Sequence, residues 1–319
     1  EDGSGDVFVS GWWAIDRWDE SLRAKRHIAS PTDGPNVAQF AVNLGLVLTG
    51  HADGALRLWS LANSPVNGGG VAIGELVGRV TSALSRDGQF IVTGDGIGGV
   101  AVASASTGLT VTRIPSHERR VRAVAISPDG SVVASASDDH VLQLAETRTG
   151  TVLGRMGGVD PQTAVSVSFS PDGRSVAVTC LDRAVRVLSV PSLDEVVSFV
   201  AGDRQLLGIA WSSDGRHIAT TGRDRQVRLW TAKGEAVASI TVPETPWTLQ
   251  FSPDDDRLAV GEWSRTIAIL DVPSLQVVRR LSGAGGLITG VAWLDRSDAI
   301  CSPVLGSCAD GSVRVWDTR

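Results

Sequence analysis

Five histidines, three cysteines, a glycine-rich run and an aspartate run are the features of this 319-residue chain that could carry chemistry. Cys180, Cys301 and Cys308 make no CxxC pair and stand beside no His at metal-ligand spacing, so neither a metal centre nor a disulfide framework is expected. If a strand separates Cys301 from Cys308, they lie roughly 23 Å apart at about 3.3 Å per residue, too far to bridge. With no Asn-x-Ser/Thr sequon either, a reducing, cytoplasmic setting is favoured. The run "GDGIGG" at 94–99 satisfies G-x-G-x-x-G and follows the strand-like "FIVT", as a dinucleotide site begins. A helix should then aim its N-terminal dipole at the pyrophosphate, but "VAVASAS" follows, which is a strand. "DDD" at 254–256 has no ligand-spaced partner and fits a solvated turn better than a cation site. The histidines are scattered, and no Ser or Cys nucleophile stands with a paired base. Catalytic residues, metal ligands and cofactors are therefore expected to be absent.

Net charge is −6 and the isoelectric point near 5.4, which argues against a general nucleic-acid binder because phosphate contacts need clustered positive charge. No apolar run reaches 18 residues, so no membrane-spanning helix is expected. Hydrophobic residues make up 42% and charged residues 20%, the balance of a globular domain that can bury a large core.

The elements that would position any site come from an internal repeat. "VRAVAISPDGSVVASASDDHVLQLAETRTG" from 121, "AVSVSFSPDGRSVAVTCLDRAVRVLSVPS" from 164 and "LLGIAWSSDGRHIATTGRDRQVRLWTAKG" from 206 share one template, with weaker copies from about 37, 80, 246 and 288. Each reads as strand, turn, strand, polar turn and a third strand ending in "VRLW" or a degraded form. Third-strand ends at Trp18, Trp59, Ala103, Ala145, Leu188, Trp230, Leu270 and Trp316 recur about every 43 residues, the period of a four-stranded propeller blade. In "SPDG" at 127–130 and 170–173, Pro presets φ, Asp closes the turn through its side chain, and Gly accepts positive φ. First-strand residues Phe40, Leu84, Ile126, Phe169, Trp211, Phe251 and Trp293 fit packing between sheets.

"SPDG", the third strands "ALRLWS" (55–60), "QVRLWT" (226–231) and "SVRVWD" (312–317), and an Asp six residues before the strand end resemble the WD-repeat β-propeller family, over almost the whole chain. The Asp is present at Asp53, Asp139, Asp182, Asp224 and Asp310, and the family Trp at Trp59, Trp230 and Trp316. The resemblance implies that these are structural, sharing a network with a His and a strand Ser/Thr. Only His117 stands where that His belongs, and its repeat has Ala145 in place of Trp, so the full tetrad is missing from every blade and stability should rest on packing and sheet bonds. The expected fold is all-β: a seven-bladed propeller of four-stranded antiparallel blades, closed by an N-terminal strand, with "SLRAKRHIA" at 21–29 as the closing segment. Residues 21–319 then form the propeller. The tryptophan-rich "GWWAIDRWD" belongs to an extra strand pair at 6–18, leaving 1–20 as a partial blade: the tail of a blade cut off upstream, or an incomplete eighth.

By the family's register, the face carrying the outer-to-inner loops and the second-to-third-strand turns receives Arg79, Arg119, Arg120, Arg183, Arg204, Arg223, Arg225 and Arg265, with Trp247 and Trp263. The opposite face collects Asp87, Asp129, Asp172, Asp214 and Asp254. Trp and Arg dominate binding hot spots, so a docking site for a protein or peptide, acidic or phosphorylated, is expected on the arginine side. The alternative is that the arginines are solvated turn residues, partly neutralised by Asp203, Glu244 and Glu262. The resemblance implies a monomeric, non-catalytic scaffold or sensor module, part of a larger signalling or effector protein of bacterial type. A lactonase-like propeller enzyme acting on a small molecule is the alternative, weakened by the mostly apolar channel-entry positions Val80, Arg122, Val165, Leu207, Trp247 and Thr289.

Overall fold

Strands Val132–Ser137, Ser175–Cys180, His217–Gly222 and Arg257–Glu262 are buried at every position after the first. Such runs have a neighbouring sheet on both faces, which is why they read as continuous small and apolar residues. The fourth strands of the same repeats, such as Glu195–Val200 and Ala236–Thr241, alternate exposed and half-buried and therefore lie at the rim.

The computed structural model describes residues 81–157, 164–284 and 287–293 throughout. Outside these it describes strands Val7–Gly11, Ala14–Trp18, Ala24–Ala29, Pro35–Ala41, Leu46–His51, Leu56–Ser60, Val71–Ala72, Val304–Cys308 and Val313–Trp316, by backbone alone except at a few positions such as Val304 and Trp316. The strands form seven antiparallel sheets. Blade 1 runs from Pro35 to Ala72, blade 2 spans 81–114, blade 3 121–157, blade 4 164–200, blade 5 206–241 and blade 6 246–281, each with its strands in sequence order. Inner strands touch the inner strands of the blades on either side, and the strand at 288–293 touches that of blade 1, so the ring of seven closes.

The core is a set of layers between blades. One joins Leu142 and Leu144 of blade 3 to Phe169, Val176 and Val178 of blade 4; another joins Leu229 of blade 5 to Leu249, Leu258 and Leu270 of blade 6. Close approach is needed where blade 6 meets blade 7: a Cβ on Gly261 would stand 2.5 Å from Ile288 Cγ2.

Blade 7 corrects one expectation. N-terminal closure is present, but the strand beside the third strand of blade 7 is Val7–Gly11, through the pairing of Ser10 with Val313, and not residues 21–29. The strand pair expected at 6–18 exists, Val7 facing Trp18, and Ala24–Ala29 pairs beyond it, giving a six-stranded sheet. The physical reason is connectivity. Ala24–Ala29 leads directly to the inner strand of blade 1, so like every outer strand it lies outermost, and the pair that precedes it fills the space between. No helix occurs among the described residues, and none is long and apolar enough to cross a membrane.

Candidate functional site

On one face of the ring the second-to-third-strand turns and the connecting loops form a continuous hydrogen-bonded rim. Ala201 N–H donates to Arg183 O at 2.9 Å, tying the loop after blade 4 to that blade's turn. The same loop reaches blade 5, where Asp203 N–H donates to Asp224 Oδ2 at 3.1 Å and Arg223 N–H to Gln205 O at 2.8 Å. From there Val242 N–H donates to Arg225 O at 2.9 Å, and Trp263 N–H to Thr245 O at 3.1 Å, joining the turns of blades 5 and 6. These bonds satisfy loop backbone that water would otherwise have to solvate, and they fix the direction in which each turn side chain leaves the surface.

Arg183, Arg225 and Arg265 hold φ of 71°, 62° and 63° at the same turn position of blades 4, 5 and 6. For an L residue that conformation costs roughly 1–2 kcal/mol, and Gly98 occupies the equivalent position of blade 2 with φ 102°. All three arginines are exposed, as are Arg119, Arg204 and Arg223. Arg120 is half-buried.

The loop "VPETPWT" carries Trp247 onto blade 6, where its ring stacks on Trp263 with centroids 5.9 Å apart and planes 12° apart. Trp263 is 47% exposed, an unusual cost for so large an apolar side chain. Trp247 also lines the mouth of the central channel, a cavity of about 500 Å³ shared with Ser82, Arg120, Arg122, Gln205 and Arg223. The mouth is more polar than the entry positions alone suggested, because Ser82, Ser166 and Gln205 flank them. Its described lining holds no carboxylate and no histidine, so the described residues offer it neither a general base nor a metal-ligand set.

Much of the remaining charge on this side is consumed internally. Arg186 Nη2 donates to Asp182 Oδ2 at 2.5 Å, Arg228 Nη2 pairs with Asp224 Oδ2 at 2.8 Å, and Arg280 Nη1 donates to Glu262 Oε1 at 2.6 Å. Glu262 is fully buried and so needs that partner. In blade 3 the role falls to His117, with Nδ1 3.0 Å from Asp139 Oδ2 and Nε2 2.8 Å from Ser135 Oγ. That Ser–His–Asp geometry resembles a nucleophilic triad, but His117 is 6% and Ser135 1% exposed, beyond reach of a substrate. Burial pulls the His117 pKa below its ordinary value against the pull of Asp139, so the ring is neutral at pH 7. Stability therefore rests on packing and sheet bonds and also on ion pairs not anticipated from sequence. Their signal was visible in "DRAVR" and "DRQVR", where an Arg follows the turn Asp by four residues.

The family tryptophans differ among themselves. Trp230 Nε1 donates to Thr220 Oγ1 at 3.0 Å, whereas Trp316 Nε1 donates to the carbonyl of Ser282 at 2.8 Å. Asp53, Asp310, Arg79 and the side chain of Trp59 lie outside the described residues.

The opposite face is built from one repeated turn. Ser127, Ser170, Ser212 and Ser252 donate Oγ–H to Asp129, Asp172, Asp214 and Asp254 at 2.5–2.7 Å, and each Ser Oγ accepts the N–H five residues on. Asp129 and Asp172 have their pKa values lowered, chiefly by the serine hydrogen bond. The aspartates of this face are engaged in shaping turns.

The WD domain, G-beta repeat, profile matches residues 108–144, 157–189, 195–231 and 275–317. WD repeat-containing protein SL1-17 of Schistosoma mansoni is 28% identical over 145 residues, 46% of this chain and 47% of that protein. Actin-interacting protein 1 of Drosophila melanogaster is 24% identical over 213 residues, 52% of this chain and 35% of that one. The chain thus spans less than half the length of these curated relatives. The Myceliophteria thermophila Cps50 (Swd1) β-propeller domain superposes with a TM-score of 0.78 at 12% identity, covering 91% of this chain and 99% of that one, which is a likeness of fold. Repeat period, blade topology, ring closure and the four matched repeats agree: the chain belongs to the WD-repeat β-propeller family.

Proposed function

We infer that this protein is a non-catalytic interaction scaffold whose docking face is the arginine side of the ring. The stacked Trp247–Trp263 pair carries the inference, because a half-exposed indole on a rigid rim loses little entropy on binding and supplies the anchor that hot spots require. Arg223 shares the channel mouth with Trp247, and exposed Arg183, Arg204, Arg225 and Arg265 lie in the turns and loops of blades 4 to 6 on the same face, while Asp182, Asp224 and Glu262 are already paired inside the blades. An acidic or phosphorylated protein segment suits those guanidiniums through bidentate contacts. That one relative is named for interacting with actin is consistent with a protein partner in general and says nothing of which partner this chain takes. The domain acts as a monomeric, cytoplasmic docking module of a larger signalling or effector protein.

Immobilised wild-type protein and the variants Trp247→Ala and Arg223→Glu/Arg225→Glu would be compared for recovery of proteins from a native extract, with thermal unfolding measured alongside. Specific recovery should fall in both variants at an unchanged unfolding midpoint; undiminished recovery rejects the docking face.

A further inference from the structure

Seven non-glycine residues among those described have positive φ: His140, Arg183, Leu193, Arg225, Asp255, Arg265 and Leu275. Each needs a reason, because a left-handed backbone drives Cβ toward the following carbonyl. Leu193 and Leu275 have one, being 8% and 1% exposed and packed into the layers between blades. Asp255 has one as well: its carboxylate accepts the N–H groups of Ser213 and Asp214 and the Ser213 hydroxyl, bridging blades 5 and 6. The three arginines have no comparable internal role. Their side chains are exposed, and the guanidinium bond found among them is Arg225 Nη1 to Pro243 O at 3.2 Å.

Their backbones, in contrast, are held firmly. Arg183 donates its N–H to Cys180 O and accepts from Ala201; Arg225 donates to Gly222 O and accepts from Val242. A strained residue on this turn recurs at one register position over four adjacent blades, as half-buried His140 in blade 3 and as the three exposed arginines in blades 4 to 6, and the arginines present three cations in fixed directions. Glycine stands at this position in blade 2 and removes the strain.

We propose that Arg183, Arg225 and Arg265 are the specificity-determining residues of the face, kept where glycine would be more stable because together they read an extended acidic polypeptide segment laid across blades 4 to 6. This rests on the docking face inferred above and assigns its selectivity to these side chains. The buried and half-buried carboxylates nearest the turns are engaged elsewhere, Asp182 by Arg186, Asp224 by Arg228 and Glu262 by Arg280, while Asp203 and Glu244 stay exposed, and none of the five forms an ion pair with the three arginines. The three guanidiniums are therefore left to an external anion. One-blade spacing suits a partner in extended conformation, in which acidic side chains several residues apart reach successive turns. Carboxylate and phosphate share the bidentate chemistry, so the test must carry both.

The probes are a short fluorescent peptide of alternating Glu and Ser and its phosphoserine counterpart, titrated at low and high salt against the wild type and the Arg183→Gly/Arg225→Gly/Arg265→Gly variant. Wild type should bind at least one probe in a salt-sensitive way, and the triple variant should bind about tenfold or more weakly. Its unfolding midpoint should rise, by about 2 °C or more. Which probe binds more tightly identifies the anion. Equal binding by the triple variant, a lowered midpoint, or no binding of either peptide by the wild type overturns the assignment. An extract partner lost with Trp247→Ala but kept by the triple variant leaves the docking face standing and rejects the arginine assignment; a partner kept by both rejects the face.

Discussion

Trp230 Nε1 donates to Thr220 Oγ1 at 3.0 Å in blade 5, and blade 4 places Val178 and Leu188 at the same two positions. Blade 6 repeats the apolar choice with Val260 and Leu270. Blades 4, 5 and 6 keep the polar partner only where the indole is, because a buried indole N–H without an acceptor is costly; blades 2 and 3 hold Thr93 and Ser135 with Ala103 and Ala145 at these positions, and Trp316 of blade 7 finds its acceptor in Ser282 O instead. Thr220→Val alone should thus cost about 1–3 kcal/mol. Combined with Trp230→Leu it copies blade 4, and a double-mutant cycle by urea unfolding should show coupling of about 1 kcal/mol or more. Additive effects would mean the bond contributes nothing.

His117 links stability to pH. Burial lowers its folded-state pKa, opposed by Asp139 and assisted by Arg155, so the unfolded chain binds a proton more readily than the folded one. Stability is then present above the ordinary histidine value near 6.5 and is lost as pH falls below it toward the lower folded value. Unfolding midpoints between pH 7.5 and 5 should drop in the wild type and drop less in His117→Gln. Parallel profiles would show that His117 is not the titrating group.

The aspartate turns act at lower pH. The serine hydrogen bonds, followed by backbone N–H donors, lower the pKa values of Asp129 and Asp172. Their contribution is complete above the ordinary carboxylate value of 3.8 and disappears as pH falls through the depressed folded values. Asp172→Ala should destabilise by about 1 kcal/mol at pH 7 and by clearly less at pH 3, read from unfolding midpoints. An equal loss at both pH values would contradict the assignment.

Close packing between blades makes Gly261 intolerant. An added methyl would meet Ile288 at 2.5 Å and Thr248 at 2.7 Å, so Gly261→Ala should destabilise by about 1–3 kcal/mol. Gly157, with nothing within 4 Å of the added atom, should accept Ala with little change, and calorimetry of the two variants compares them directly.

Blade architecture was legible because Ser170, Asp172 and Gly173 have one conformational solution, and because strands buried on both faces spell continuous small apolar runs. The order of N-terminal strands was not. Val7–Gly11 and Ala24–Ala29 are both edges of one antiparallel meander, and neither carries a residue that selects an edge. Trp247 and Trp263 were readable as surface residues from the register, but their stacking depends on loop geometry that the Pro243–Pro246 segment sets in three dimensions. The left-handed backbone at Arg183, Arg225 and Arg265 escaped notice because Arg gives no positive-φ signal. Only alignment with Gly98 would have raised it.

Photo-crosslinking maps the docking face most directly. A photoreactive phenylalanine analogue would replace Trp263 on the arginine face or Asp172 on the aspartate face, and each variant would be irradiated in native extract. Specific protein adducts are predicted from position 263 and not from 172. Adducts from 172 alone, or equal adducts from both, would contradict the arginine face as the place where partners bind.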